Sequence, residues 1–325
     1  MDKKLKTTLK ITLPLLLGIV LVWYSLSKIS IAELLQYFKN ADYKWIGLGV
    51  AFGILSHLSR AYRWKFMLEP MGYSLRQPNS IMAVFAAYLV NYTIPRAGEV
   101  TRASIVANYE SIPFEKGFGT IVSERVADML VMLIIITTTL FLEFDFIVQF
   151  FSERFEPTKI IFGGVILVLG LGLFFLFIKR STSNFALKLK TFVNGLIEGV
   201  LSIFKMKQRW AFVFHTFFIW GMYVLMFYVT TFALKETTNL PLAAILIGFI
   251  SASFSIAATN GGIGSYPVAV FAAFSIFGIA KEPSIAFGWI MWSSQTIMII
   301  IFGGLSLLYL PIYNRLNPKA TTKVP

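Results

Sequence analysis

The chain has 325 residues, of which 57% are hydrophobic and 14% are charged, and its formal net charge is +13. A soluble globular domain has about a quarter of its residues charged, so this composition excludes a soluble protein and indicates a polytopic membrane protein. The lack of cysteine in the sequence excludes disulfides, thiolate metal sites and thiol catalysis, and we assign the positive charge to cytoplasmic loops and anionic lipid headgroups rather than to nucleic acid.

The first apolar segment, residues 11–26, follows four lysines, as a secretory signal would. Because no small-residue cleavage site follows it and further apolar segments come after, we predict an uncleaved helix whose N-terminus lies in the cytoplasm. Residues 28–44 carry charges of both signs and are predicted to form an outer loop. A second helix is predicted from Trp45 to the basic sequence RAYRW at residues 60–64, which returns the chain to the cytoplasm.

The next apolar segment, residues 80–107, is interrupted by NYTIPRAGEVTR at residues 91–102. A broken helix in hydrocarbon leaves peptide groups without hydrogen bonds, so it is tolerated only where protein or a water-filled cavity surrounds it. We therefore predict a re-entrant hairpin that opens to the cytoplasm, with Glu110, Glu115 and Lys116 in water.

A full span is predicted at residues 121–142, and the acidic loop after it is assigned to the outside. Residues 160–178 cross back. The connector at residues 179–210 holds seven Lys or Arg against one acid and is the strongest cytoplasmic marker in the chain. Its middle, residues 185–204, is predicted to be an amphipathic helix on the membrane surface.

The second half repeats this pattern in the opposite orientation. Residues 211–234 span outward, residues 241–279 form a hairpin broken by TNGGIGSYP at residues 259–267, and residues 284–310 return so that the C-terminus is cytoplasmic. Helix starts, breaks and closing helices recur after about 165 residues. The sequence thus predicts one all-α transmembrane domain, 1–325, in which 45–142 and 211–310 are inverted-topology repeats, an arrangement typical of transporters.

The charged residues beside the first break suit a phosphate group. Arg60 and Arg63 share a helix face, as do Glu99 and Arg102. Arginine presents a planar fork to phosphate oxygens, and the helix that starts near Gly98 adds backbone donors. The alternatives are that Arg60 and Arg63 only anchor a helix at the interface, and that Arg125 with Asp128 is a structural pair.

The glycines of the second break permit positive φ angles and close backbone approach, and Asn260 can cap a half-helix. This segment lacks the strand and the lysine of a nucleotide-binding loop, and the alternative is a tight turn that only packs. His57 and His215 are interpreted as helix-packing hydrogen-bonding residues, because they lack the carboxylate spacing of a metal site.

Four motifs in order resemble those of the lysylphosphatidylglycerol synthase transmembrane-region family, also called flippase-like domain proteins. They are RAYRW at 60–64, IPRAGEVTRA at 94–103, ERVAD at 124–128 and NGGIG at 260–264. The resemblance implies lipid handling or translocation, without the lysyl transfer that the synthase performs in a separate soluble domain. Family members often place an acid after the second glycine motif, where this chain has Ser265, Tyr266 and Pro267, so the resemblance does not extend to an acid-dependent role there.

We therefore predict a lipid translocase of the inner membrane, without a cofactor or a catalytic constellation, that binds the phosphate headgroup of an anionic phospholipid or a polyprenyl phosphate. The alternatives are an ion-coupled transporter of a soluble anion and an accessory protein of lipid glycosylation or cell-envelope synthesis. The predicted binding residues are Arg60, Arg63, Asn91, Arg96, Gly98, Glu99, Arg102, Glu124, Arg125, Asp128, Asn260, Gly261, Gly262 and Gly264.

Overall fold

The computed structural model of the protein describes residues 19–94, 96–154, 156–181, 183, 186–187, 190 and 206–318, and every regular element in these ranges is helical. The chain divides into two compact units. The first comprises residues 1–122 and 210–325, and the second comprises residues 123–209.

The helices are numbered here in chain order. The first half contains α1 (Ile19–Leu26), α2 (Ile31–Asn40), α3 (Tyr43–Arg63), α4 (Lys65–Leu68), α5 (Gln77–Thr93), α6 (Ala97–Glu110), α7 (Phe114–Leu142), α8 (Phe144–Arg154) and α9 (Pro157–Arg180). The second half contains α10 (Arg209–Thr230), α11 (Leu242–Ala258), α12 (Ser265–Ser275) and α13 (Lys281–Leu316).

Within the described residues, three helices are long and apolar enough to cross a membrane: Phe114–Leu142, Arg209–Ala233 and Lys281–Leu316. They confirm the spans predicted at 121–142, 211–234 and 284–310. The pair α1 and α2, bent by 83°, would be a fourth span if it is counted as one. The start of the predicted first helix, residues 11–18, lies outside the described residues.

The segment 28–44, predicted to be an outer loop, contains α2. Ser30 caps this helix by accepting a hydrogen bond from the Glu33 amide at 3.1 Å, and a serine followed three residues later by glutamate is a helix-start signal. The acidic segment after α7, also predicted to be an outer loop, contains α8. In both segments apolar residues recur at helical spacing between the charged ones.

The first break is confirmed between Thr93 and Ala97, and α5 and α6 on its two sides pack antiparallel as a hairpin. Near the break the Gly98 amide donates to Asn91 Oδ1 at 2.7 Å, and at the open end Asn79 of α5 bonds to Glu110 of α6. The arms have 17 and 14 residues, about 25 and 21 Å long, which is shorter than the roughly 30 Å hydrocarbon core.

The exposure predicted for Glu110 is wrong. The second arm runs to residue 110 instead of 107, so Glu110 belongs to the helix and is 1% exposed. Glu115 and Lys116 are exposed, as predicted.

The second break is also confirmed, between α11 and α12. The backbone at Gly261, Gly262 and Gly264 adopts φ angles of 63°, 79° and 68°, in the left-handed region that favours glycine. Gly248 of α11 faces the Phe274 ring of α12, so the two helices form a second antiparallel hairpin. Its second arm is shorter than predicted and ends at residue 275 rather than 279.

The long helix α13 packs against both hairpins. Close approach is possible because glycines lie at the contacts. A Cβ atom on Gly303 would lie 2.7 Å from Leu89 Cβ of α5, and one on Gly288 would lie 2.5 Å from Pro267 Cα of α12. One helix therefore contacts both broken segments.

The second unit contains α8, α9 and the part of α7 from residue 123 onward. Most of the amphipathic helix predicted at 185–204, and most of the basic connector at 179–210, lie outside the described residues.

Candidate functional site

Two arginines near the end of α3 lie inside the protein. Arg60 is 2% and Arg63 0% exposed, and Arg63 Nη1 donates to Thr216 Oγ1 of α10 at 2.8 Å. The Arg63 guanidinium also lies over the Phe212 ring, 5.1 Å from its centroid. A residue that anchors a helix at the lipid interface keeps its charged head in water, so this burial argues against the anchoring alternative.

Arg102 of the first hairpin lies against the end of α3. Its guanidinium is 3.8 Å from the centroid of the Trp64 ring, a cation–π geometry, and it is 3% exposed. Trp64 is itself buried and donates through Nε1 to Thr120 Oγ1 at 2.7 Å. We call Arg60, Arg63 and Arg102 the arginine cluster. Its three planar guanidinium groups lie on α3 and α6, and a planar guanidinium fork is a group that binds phosphate oxygens.

The predicted charged residues at the tip of the first hairpin, Arg96 and Glu99, are less buried than the arginine cluster. Arg96 is exposed and adopts a left-handed backbone with φ of 59°. Glu99 is half-buried in the first turn of α6, where the helix dipole favours a carboxylate. The helix predicted to supply backbone donors starts here, and the Gly98 amide in its first turn donates to Asn91 Oδ1. The buried guanidinium groups thus belong to the arginine cluster, whereas Arg96 at the hairpin tip is exposed.

The three predicted charged residues of α7 belong to the second unit. Glu124 and Asp128 are 0% and 5% exposed. Arg125 Nη1 lies 3.7 Å from Asp128 Oδ2, which is an ion pair at more than hydrogen-bond distance. This contact supports the structural-pair alternative for Arg125.

The two helix breaks touch in the first unit. Tyr92, in the last turn of α5, lies so close to Gly261 that a Cβ atom there would be 2.6 Å from its ring carbon Cε1. From α13, Trp292 Nε1 donates to the Gly261 carbonyl at 2.8 Å and Thr296 Oγ1 donates to the Tyr92 hydroxyl at 3.3 Å. We call Tyr92, Gly261, Trp292 and Thr296 the break junction. The sequence predicted two breaks, and the structure shows that they meet through Tyr92.

The other predicted residues of the second break, Asn260, Gly262 and Gly264, make contacts within the first unit. Asn260 is 4% exposed, and its backbone carbonyl accepts from the Ile263 amide at 3.3 Å. Gly262 lies against Trp292 and Tyr266, whereas Gly264 lies against the backbone of α1. These glycines thus allow close packing at the break.

Sequence reasoning missed a polar network at the open end of the first hairpin. Arg76 Nε lies 2.8 Å from Glu110 Oε1, and Arg76 Nη2 donates to Asn314 Oδ1 of α13 at 2.6 Å. Asn79 Nδ2 donates to Glu110 Oε1 and to Asn314 Oδ1, at 2.5 and 2.8 Å. We call these four residues the open-end network. Helix pattern alone could have placed Glu110 in α6, but no local signal points to Asn314.

The two histidines make packing contacts. The His57 ring lies 4.4 Å from the Tyr88 ring and 5.3 Å from the Phe85 ring, measured between centroids. His215 Nδ1 is 2.8 Å from Ser59 Oγ. These contacts agree with the helix-packing interpretation. Among the described residues there is no group of three or more His, Cys, Asp or Glu side chains that could hold a metal ion.

Comparison with known proteins identifies relatives. The sequence profile described as "Lysylphosphatidylglycerol synthase TM region" matches residues 11–303. The chain is 24% identical over 315 residues to UPF0104 membrane protein MJ1595 from Methanocaldococcus jannaschii, covering 87% of this chain and 89% of that protein. It is 28% identical over 100 residues to Glycosyltransferase AglD from Haloferax volcanii, covering 30% of this chain and 16% of that protein. No solved structure matches.

Proposed function

The chain belongs to the lysylphosphatidylglycerol synthase transmembrane-region family, and from this premise we propose that it is a lipid translocase rather than an enzyme. It binds the phosphate headgroup of an anionic phospholipid or a polyprenyl phosphate and moves the lipid between the leaflets of the cytoplasmic membrane. The two hairpins are re-entrant and belong to two inverted repeats, with both chain termini in the cytoplasm.

The observation that carries this proposal is the arginine cluster. Three buried guanidinium groups in a protein with apolar, membrane-length helices are costly, because each charge has been removed from water. Such residues usually mark a substrate path. Arg60 and Arg63 on α3 and Arg102 on the first hairpin would share the oxygens of one phosphate group.

The paired breaks support movement of the bound group. In many transporters, substrate sites lie where discontinuous helices of two repeats meet near the bilayer midplane. Here Tyr92 of one break packs against Gly261 of the other, and α13 contacts both hairpins. A change in one hairpin can therefore be transmitted to the other by direct contact.

The test is leaflet exchange of fluorescent phospholipid or labelled polyprenyl phosphate in proteoliposomes. Relative to the native chain, we expect Arg63→Gln and Arg102→Gln to slow exchange by at least about tenfold, the effect of losing one charge-assisted hydrogen bond of about 1.5–3 kcal/mol. Arg63→Lys should lose less, because it keeps the charge but not the planar fork. Circular dichroism and size-exclusion elution would show whether each variant folds.

The matched control is Arg315→Gln, since Arg315 lies on α13 but is exposed. Its exchange rate should equal that of the native chain. If native protein moves neither lipid faster than protein-free vesicles do, the translocase proposal fails. Uptake of inorganic phosphate or glycerol phosphate under the same conditions would instead favour the transporter of a soluble anion.

A second candidate is an accessory role in lipid glycosylation, and the segment shared with a protein named Glycosyltransferase AglD favours it. In that role the chain would present a lipid phosphate to a separate transferase without moving it. The expected result would then be a higher product yield when native chain is added to the transferase in vesicles, together with lipid exchange no faster than background.

A further inference from the structure

The second hairpin has no formally charged side chain. Residues 242–275 contain no Asp, Glu, Lys, Arg or His. The polar atoms at its break are therefore hydroxyl, amide and backbone groups. Neutral oxygens of this kind bind small monovalent cations in transporters, where unwound carbonyls and helix C-termini coordinate the ion.

Three oxygen atoms gather where α11 ends. Thr259 Oγ1 lies 2.7 Å from the Ser255 carbonyl oxygen and 2.8 Å from Ser265 Oγ. Ser265 Oγ lies 3.4 Å from the same carbonyl oxygen. The break thus brings a hydroxyl from each side of the gap onto one carbonyl at the end of the helix.

More carbonyl groups point out of the same helix end. In the part of the chain that the structure describes, no hydrogen bond ends on the carbonyl oxygens of Ile256, Ala257 or Ala258. The final carbonyls of a helix lack partners within it and carry the negative end of its dipole. Residues 256–258 are exposed, so an ion could reach this end from one side.

Asn260 provides an independent sign that the polar contacts of this break are incomplete. Its side chain is buried, and its Nδ2 atom has no hydrogen-bond partner among the described residues. Buried polar atoms normally have partners. The nitrogen and oxygen of an amide are assigned from its hydrogen bonds, so the same side chain can turn its oxygen toward a cation.

We propose that the end of α11 binds Na⁺ through the Ser255 carbonyl, the Thr259 and Ser265 hydroxyls and the carbonyls that follow Ser255. When the ion binds, the two hydroxyl groups rotate so that their oxygens face it and their protons point away. The site adjoins the break junction, because Gly261 follows Thr259 by two residues and contacts Tyr92 of the first hairpin. Coupling of the ion to lipid movement rests on the proposed function, whereas binding itself does not.

The binding test is thermal unfolding of the full chain in detergent, in NaCl, KCl or choline chloride of equal ionic strength. A bound ligand stabilises the folded state by mass action. We expect Tm in NaCl to exceed Tm in choline chloride by about 2–6 °C at saturating ion. Thr259→Val and Ser265→Ala should abolish this difference, and Thr259→Ser should retain it.

Ser275→Ala is the matched control, because Ser275 lies in the same hairpin and its hydroxyl donates to the Ala272 carbonyl, three residues earlier in the same helix. It should keep the Na⁺-specific rise. Equal Tm values for native protein in the three salts would overturn the proposal, and so would a Na⁺-specific rise that survives in both Thr259→Val and Ser265→Ala.

Lipid exchange with and without Na⁺ separates this inference from the proposed function. Lipid movement without Na⁺-specific stabilisation would overturn the ion site and leave the translocase standing. Na⁺-specific stabilisation without lipid movement would support the site and overturn the translocase. Stabilisation together with at least about fivefold faster exchange in Na⁺ than in choline would support both the site and its coupling.

Discussion

At the scale of single residues, Gly98 decides how closely the arms of the first hairpin approach. Its amide bonds to the Asn91 side chain, and a Cβ atom at this position would collide with the Ala87 carbonyl oxygen and the Asn91 amide. A backbone carbonyl in a helix cannot move aside without breaking its own hydrogen bond. These contacts of Gly98 pack the two arms of the hairpin together.

We expect Gly98→Ala to destabilise the protein by about 1–3 kcal/mol, the usual cost of overpacking. The measurement is Tm in detergent. Gly47→Ala in α3 is the matched control, because no atom lies within 4 Å of a Cβ atom there. That control should be neutral or stabilising by about 0.5–1 kcal/mol, since alanine is the better helix former. Similar Tm values for the two variants would show that the arms do not need this close contact.

At the scale of helices, the open-end network attaches the first hairpin to α13. Glu110 at the end of α6 bonds to Arg76 before α5 and to Asn79 within it, and both of these residues bond to Asn314. A buried carboxylate is tolerated when it is paired and hydrogen-bonded. The network therefore holds the open ends of α5 and α6 together and to α13.

Glu110→Gln tests this role, because it keeps the shape of the side chain and removes its charge. We expect the free energy of unfolding to fall by about 1–3 kcal/mol, because the charge-assisted hydrogen bonds of Glu110 become weaker. The loss is limited because 24% of the Arg76 side chain is exposed, so its charge stays partly hydrated. The measurement is again thermal unfolding. Glu115→Gln, at an exposed position, should change stability by less than about 0.5 kcal/mol. Equal effects at the two positions would argue against the network.

At the scale of the first unit, the contact between the breaks can be tested directly because the chain has no cysteine. We expect Tyr92→Cys combined with Gly261→Cys to be cross-linked efficiently by a short bifunctional thiol reagent. If the breaks must separate during transport, the cross-link should reduce lipid exchange by at least about tenfold, the rate effect of about 1.4 kcal/mol, and a cleavable reagent should allow the rate to be restored.

Each single-cysteine variant is the control, and its own rate should be the same with and without the reagent. A cross-linked double variant that transports at the uncross-linked rate would show that the breaks move together rather than apart. Absence of cross-linking in folded protein would contradict the contact itself.

The sequence predicted the features that depend on local chemistry. Proline and clustered glycine favour a helix break where polar residues accompany them, and both breaks were located correctly. The long uncharged runs predicted the spans at α7, α10 and α13. The four motifs predicted the family, and the match over residues 11–303 confirms it. Helix ends were less accurate, as the burial of Glu110 shows, because a change of one helical turn decides whether a side chain faces water.

Only the tertiary structure decided which distant residues meet. Arg102 stacks on Trp64, Asn314 joins a network 235 residues away from Asn79, and Tyr92 rests on Gly261. A membrane sequence is apolar on nearly every helix face, so hydropathy tells which segments are buried in lipid or protein but not which faces touch. Those contacts depend on the shape of small residues such as Gly98, Gly261 and Gly303, which let particular backbones approach.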